Sequence, residues 1–166
     1  MSQHQQRVLG GAVIVAAIIG EKKILLIKET TKPLSHFWKL VSETLLDGES
    51  ILNALRRGVG EEAGLNDLKV REIGGQVIEI IDPRLKAVKQ LIASHMLTKP
   101  TAHRRHFWGL VTSDDVINSL SGKHLTGDVN EEIETQAFDL SDLEGMVDLL
   151  PRHRELIKQI PEGAFA

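Results

Sequence analysis

The sequence has no cysteine, and it has no strong excess of charge of either sign. Without cysteine there are no disulfides, no thiolate zinc sites and no cysteine nucleophile, so any metal must bind oxygen or imidazole ligands. The formal net charge of -3 gives no broad basic field that would hold a phosphate backbone against competing salt. Extended nucleic acid is therefore not an expected partner.

The sequence also lacks a hydrophobic run long enough to cross a bilayer. The apolar run 12–19 follows Arg7, as the core of a secretion signal follows a basic residue. It is rich in β-branched residues, however, and Glu21-Lys22-Lys23 follow at once, which favours a strand. We expect a cytoplasmic protein without a membrane partner.

The composition is ordinary for a globular protein. The 166 residues, of which 42% are hydrophobic and 26% charged, are enough to bury a core and few enough to favour one domain. We find no repeat, low-complexity segment or linker in the sequence. Residues 1–166 are therefore expected to form a single domain.

Strands and helices are predicted along most of the chain. Two β-rich runs on either side of Gly20 predict an N-terminal hairpin. Residues 70–81 are β-rich but interrupted by Gly74-Gly75, which indicates either a strand with a bulge or two strands meeting at a bend. Apolar residues at helical spacing predict a short helix over residues 84–97. Further strands are predicted over residues 37–41, 107–112 and 132–140, and a helical region broken near Pro151 over residues 143–160.

The best-defined predicted element is a helix over residues 51–63. Ser50 is a suitable N-cap and Gly64 suits the position just past the end, while apolar side chains recur at helical spacing at Leu52, Leu55 and Val59. Residues at i, i+3 and i+4 share one helix face, so carboxylates at positions 58, 61 and 62 would converge on one point. Such a cluster attracts a hard cation that prefers oxygen ligands.

The same segment carries a recognisable motif. The residues in register are Glu49, Arg57, Val59, Glu61, Glu62, Gly64 and Leu65, with seven residues between Glu49 and Arg57. This pattern resembles the Nudix box, Gx5Ex7REUxEExGU, where U is a bulky aliphatic residue. Trp38 and Leu40 before the loop, and the tail 132–143, also resemble the family. The resemblance implies an α/β fold, a Nudix-type α/β/α sandwich with a central mixed sheet.

The resemblance also implies a reaction. Members of the family use the box to bind Mg²⁺ (or Mn²⁺) and to hydrolyse a nucleoside diphosphate linked to another group, so the implied partner is a small-molecule nucleoside diphosphate derivative. Carried onto this chain, Glu61 and Glu62 would be metal ligands and catalytic residues. Arg57 is spaced to pair with Glu61 along the helix and would help to hold that carboxylate in position.

The box is degenerate at its most chemical positions. Gly58 stands where the family has a glutamate used for metal binding or as a general base, and Val41-Ser42-Glu43 replace the usual proline and two glycines. Because a glutamate is gained near a glutamate lost, we predict that the Glu43 carboxylate enters the space left at Gly58 as a metal ligand. Glu49 is a second candidate for that place.

A further carboxylate often enters Nudix sites from the loop before the last strand. In this chain Asp128, Glu131 and Glu132 lie there. Glu132 is the preferred candidate, as a metal ligand or general base, although acids in loops are more often solvated than catalytic.

Three functional interpretations follow from the sequence. The leading one is a Nudix-type pyrophosphohydrolase. The alternative is a catalytically impaired Nudix-fold module that binds a nucleotide or regulates, and the third is a structural dimer partner. The stripe over residues 84–97 would pack within the monomer by default, with a homodimer contact as the alternative. His103-Arg104-Arg105-His106 would bind substrate phosphate in one interpretation, and in the other would be largely solvated.

Overall fold

The computed structural model describes residues 12–31, 36–96, 104–126 and 131–160. The strands are β1 (Ala12–Ile19), β2 (Lys23–Glu29), β3 (Val41–Thr44), β4 (Val70–Ile73), β5 (Gln76–Ile80), β6 (Leu85–Met96), β7 (Arg104–Thr112), β8 (His124–Thr126) and β9 (Glu132–Asp139). The helices are α1 (Ile51–Ala63), α2 (Asp114–Leu120) and α3 (Pro151–Lys158), and a 3-10 helix spans Leu140–Gly145. The predicted N-terminal hairpin and the predicted helix over residues 51–63 are both confirmed.

The central sheet is mixed. Its seven strands follow the order β6-β7-β1-β2-β9-β8, with β3 paired to β1 outside this path. β1 and β7 pair in parallel, whereas β1 and β2, β2 and β9, and β6 and β7 pair in antiparallel. β4 and β5 form a separate two-stranded sheet.

β1 and β2 separate soon after their connecting turn, and this split positions the candidate site. They pair at Ile18–Leu25 and Ile19–Ile24, and further along β1 pairs with β3. A bridge from Lys39 to Ile27 joins the segment before β3 to β2. The segment that leads into α1 therefore lies against both separated strands.

Helices cover both faces of the sheet, and each face has its own apolar core. On one face, α1 and α2 pack on Ile14, Ala16 and Ile27, among others. On the other face, the 3-10 helix and α3 pack on Val15, Leu26 and Phe107, among others. These three layers confirm the predicted α/β/α sandwich with a central mixed sheet. No helix in the described ranges is long and apolar enough to cross a membrane.

The ends of α1 form as the sequence predicts. The Ser50 hydroxyl accepts a hydrogen bond from the Asn53 N–H, at 3.2 Å, and so satisfies one of the free donors of the first turn. Gly64 ends the helix with a φ of 76°, a left-handed conformation that favours glycine.

The predicted helix over residues 84–97 is wrong, because this segment is strand β6, paired with β7. Its apolar residues Leu85, Val88, Leu91, Ile92 and Met96 mimic a helical stripe. The ladder has register shifts at three places, and each shift displaces the alternation that marks a strand. Long-range pairing with β7 overrides the local pattern.

Other predicted boundaries also change. Trp38 and Lys39 form only isolated bridges, so the strand predicted over residues 37–41 is instead β3, at Val41–Thr44. Residues 70–81 form two paired strands, β4 and β5, and the turn between them uses positive φ at Gly74 and Gly75. α2 and β8 lie outside the predicted elements.

Candidate active site

Gly58 lies on the face of α1 that is turned towards the sheet. A Cβ built at Gly58 would lie 3.1 Å from the Cβ of Glu43 and 3.5 Å from Cγ1 of Val41. Glu43 is the register partner of Ile14 across β3 and β1, so it points to the α1 side of the sheet, as Ile14 does. The Glu43 side chain therefore lies against the position where the box glutamate is missing.

Glu62 lies one turn after Gly58 on the same face, and it is only 6% exposed. The Ser42 N–H donates to its Oε1 at 3.3 Å, and the carboxyl groups of Glu62 and Glu43 share a hydrogen bond. Burial, and then the negative charge of Glu43, raise the pKa of Glu62 well above its usual range. The site thus contains two adjacent buried carboxyl groups.

Arg57 connects acidic residues of β3 and of the following loop with the helix. Its Nε and Nη2 donate to the Glu49 carboxylate at 3.0 and 2.9 Å, and Nη2 also donates to the Thr44 carbonyl at 3.0 Å. Its Nη1 lies 2.9 Å from Glu43 Oε1 and 3.9 Å from Glu61 Oε2. Burial lowers the pKa of Arg57, but the hydrogen bond to Glu49 and the charge of Glu43 raise it above its usual value overall. Arg57 is therefore a fixed cation that orients three glutamates.

A second buried ion pair lies beside these carboxylates, and no local sequence pattern indicates it. Lys39 Nζ lies 2.8 Å from Glu29 Oε1, and both side chains are largely buried. Lys39 pairs with Ile27, and Glu29 follows two residues after Ile27, so both side chains point to the α1 face. The charge of Lys39 opposes the rise in the pKa of Glu62, which indicates that this pair belongs to the same polar layer.

A cavity of about 620 Å³ opens on the outer side of α1. Its walls come from α1, from the β4–β5 sheet and from β8, and Arg57 and Glu61 line it together with Arg56 and Glu72. The volume is in the range of small-molecule sites. α1 therefore presents Gly58 and Glu62 to a buried carboxyl layer, and Glu61 to an open cavity.

The remaining predicted residues lie elsewhere. Glu132 begins β9, its side chain is 59% exposed, and its Oε2 lies 3.6 Å from Nε2 of His124. Among the described residues, it is not part of the ion-pair network of Arg57. Asp128 and His103 lie outside the described residues. The structure thus brings Glu43 and Glu61 to Arg57, and Glu62 to Glu43, while the role of Glu132 stays a prediction.

The donor set fits Mg²⁺ by ligand type. In the described part of the chain, no three His, Asp or Glu side chains are already grouped as a metal site. Mg²⁺, however, is usually held by one or two carboxylates with water and substrate phosphate as further ligands. The adjacent carboxyl groups of Glu43 and Glu62, with Glu61 on the next face of α1, meet that requirement.

Comparisons with known proteins agree with this geometry. The family model described as the NUDIX domain matches residues 8–160. The NUDIX domain of Shewanella oneidensis NrtR, solved in complex with ADP ribose, is 15% identical, with a TM-score of 0.57 over 89% of this chain and 84% of that one. A NUDIX-family hydrolase from Clostridium perfringens is 15% identical, with a TM-score of 0.58 over 92% and 96%. A MutT NUDIX hydrolase from Burkholderia pseudomallei is 18% identical, with a TM-score of 0.54 over 90% and 97%. No curated protein matches the sequence.

Proposed function

The chain belongs to the NUDIX domain family, and from that premise we propose that it hydrolyses a nucleoside diphosphate linked to another group. The substrate is a small molecule, and the attack of water on its diphosphate is assisted by Mg²⁺ or Mn²⁺. The observation that carries the proposal is the contact between Glu43 and Gly58 beside the buried carboxyl of Glu62. The site retains a pair of adjacent carboxyl groups, although one of them comes from strand β3 and not from the helix.

The residues of the chain have separate tasks in this proposal. Glu43, Glu61 and Glu62 would hold the cation, and Glu132 is a further candidate ligand or general base. The chemistry that the cation supplies when bound is neutralisation of the diphosphate and activation of water. Arg57 keeps Glu43, Glu49 and Glu61 in place through its ion pairs. Because a metal ligand must be deprotonated, the Glu62 carboxyl, whose pKa is raised by burial and by the charge of Glu43, would have to lose its proton to hold the cation.

A substrate panel tests the proposal directly. Nucleoside diphosphate derivatives, including ADP-ribose and nucleoside diphosphate sugars, are incubated with Mg²⁺ or Mn²⁺ and the natural chain, Glu62→Gln or Glu79→Gln. We expect Glu62→Gln to reduce turnover by roughly 100-fold or more. Glu79 is exposed and pairs with Arg71 on the separate hairpin, so Glu79→Gln is the matched control and should retain activity. Equal turnover by the natural chain and Glu62→Gln would refute the proposal.

The same panel separates the hydrolase from the nucleotide-binding alternative. Binding of a derivative without turnover by the natural chain, followed by activity in a Gly58→Glu variant, would identify a decayed site. Gly58→Glu alone, however, would push its Cβ to 3.1 Å from that of Glu43. The Glu43→Gly/Gly58→Glu double variant removes this crowding and is therefore the better test of a restored box.

The reciprocal exchange also tests the role of Glu43. If Glu43 has taken over from the missing box glutamate, Glu43→Gly loses metal-dependent turnover, and adding Gly58→Glu restores part of it. Glu43→Gln keeps the size of the side chain and should lose turnover as well, because its amide cannot supply a carboxylate ligand. Metal-dependent turnover that is unchanged in Glu43→Gln would exclude Glu43 from the metal site.

A further inference from the structure

Two arginines line the cavity on the outer side of α1, and they differ in how tightly other side chains hold them. Among the described residues that line it, Arg56 and Arg57 are the cations. The guanidinium of Arg57 is occupied by Glu49 and the Thr44 carbonyl, and its remaining nitrogen lies beside Glu43. This Nη1 nitrogen is buried and has no hydrogen-bond partner, so it is not accessible to a ligand in the cavity.

Arg56 is held much more loosely. Its Nη1 lies 3.4 Å from Glu72 Oε1, near the limit of a hydrogen bond, and the two side chains are 39% and 49% exposed. An exposed pair of this kind contributes little to stability. The N–H donors of Arg56 can therefore turn to an anionic ligand without loss of a strong contact, and a guanidinium is suited to bidentate binding of phosphate.

From these contacts we propose that the cavity between α1 and the β4–β5 hairpin is a phosphate subsite, in which Arg56 binds an anionic phosphoryl group of the substrate. Glu72 competes for Arg56 while the subsite is empty. The inference rests on the proposed function, because it places the phosphoryl group beside Glu61, which lines the same cavity. Arg56 determines substrate affinity, whereas the carboxylates determine turnover.

The acidic residues of the cavity are compatible with this assignment. Among the described residues, four acidic ones line the cavity: Glu49 and Glu61 already pair with Arg57, Glu72 pairs with Arg56, and Asp67 interacts with the charge of Arg84. The hairpin that carries Glu72 is fixed to the start of α1, since the Val77 N–H donates to Asn53 Oδ1 at 2.6 Å and the Gln76 side chain donates to the Gly48 carbonyl. Hydrogen bonds therefore hold the cavity wall opposite Arg56 in place, while the Arg56–Glu72 contact itself is weak.

The test measures binding of methylenediphosphonate, a diphosphate that cannot be hydrolysed at its central bridge, by calorimetry in the presence of Mg²⁺. We expect Arg56→Gln to weaken binding by about tenfold or more, because a charge-assisted hydrogen bond is lost. Glu72→Gln should tighten binding, since Arg56 loses its competitor. Arg71→Gln is the matched control. Arg71 is an exposed arginine on β4, the strand that also carries Glu72, and it pairs with Glu79 outside the cavity.

With a substrate found by the panel, Arg56→Gln should raise KM about tenfold and leave kcat nearly unchanged. Thermal unfolding of each variant separates loss of binding from loss of folding. The inference is overturned if the folded Arg56→Gln and Arg71→Gln variants bind alike, or if the natural chain does not bind methylenediphosphonate. Neither result bears on the proposed hydrolysis, which the Glu62→Gln variant tests separately in the turnover assay.

Discussion

Among the described residues, the α1 face of the central sheet buries three glutamates, whereas the α3 face buries His153 among apolar side chains. Glu29, Glu43 and Glu62 are each less than a tenth exposed, and they lie near one another between α1 and the split in the sheet. His153 is 3% exposed, and its Nδ1 accepts a hydrogen bond from the Leu40 N–H at 3.0 Å. Both faces therefore bury ionisable groups, but with different partners.

The difference separates a site that is costly to fold from a contact that supports folding. Adjacent buried carboxyl groups repel when ionised, so the α1 face gives up stability for a cation-binding arrangement. On the α3 face a neutral imidazole satisfies a buried backbone donor and ties α3 to the segment before β3. Substitutions of the buried polar groups should then have opposite effects on stability.

The largest expected effect is on the α3 face. His153→Ala removes the acceptor of the Leu40 N–H and leaves a cavity, so we expect the free energy of unfolding to fall by about 2 to 4 kcal/mol. Denaturation in urea measures it. His124→Ala is the control, because that exposed side chain should change stability by less than about 0.5 kcal/mol. Equal losses in the two variants would contradict a supporting role for His153.

The second prediction concerns acid. Burial, and then the nearby charges of Lys39, Arg152 and Arg105, lower the pKa of His153 from 6.5 to about 3. Between these values the unfolded chain binds a proton that the folded chain does not, so stability falls as the pH falls from 6.5 towards 3. One such proton gives a slope of about 1.4 kcal/mol per pH unit. His153→Gln, which cannot titrate, should lose this component when unfolding is followed from pH 7 to pH 4.

The opposite sign is expected on the α1 face. The raised pKa of Glu62 means that the folded chain keeps a proton above pH 4.5 that the unfolded chain releases, so this group destabilises the fold as the pH rises through that range. Glu62→Gln removes the charge and can still accept from the Ser42 N–H. At pH 7, without metal, we expect the free energy of unfolding of this variant to be about 1 kcal/mol higher than that of the natural chain. A clear loss of stability in metal-free urea denaturation would remove the contrast between the faces.

The sequence predicts the helix that carries the site better than the side-chain contacts within the site. The capping residues Ser50 and Gly64 are local signals, so the bounds of α1 follow from them. One glutamate gained and one lost in a known pattern predict the contact of Glu43 with Gly58. The ion pair of Lys39 with Glu29 has no such signal, because it depends on how β2 and the segment before β3 lie side by side.

β6 shows why the rest of the fold is harder to predict. Its bulges shift the strand alternation, and its apolar side chains contact both cores, so the local pattern matches a helix as well as a strand. Only pairing with β7 decides between the two. Likewise, Ser113 caps α2 through a hydrogen bond from the Val116 N–H, but the seven residues of α2 are too few to show a clear periodicity.

The smallest expected effect compares the two sides of α1 itself, through its glycines. A Cβ at Gly60 would meet the exposed, flexible side chain of Asn66, with Oδ1 at 3.3 Å, so Gly60→Ala should gain up to about 1 kcal/mol from its helix propensity. A Cβ at Gly58 would meet the Cβ of Glu43 at 3.1 Å, and this atom is fixed to the backbone of β3. Gly58→Ala should therefore gain less, or lose stability. Urea denaturation of both variants makes the comparison, and a gain at Gly58 as large as that at Gly60 would mean that Glu43 is not packed tightly against the helix.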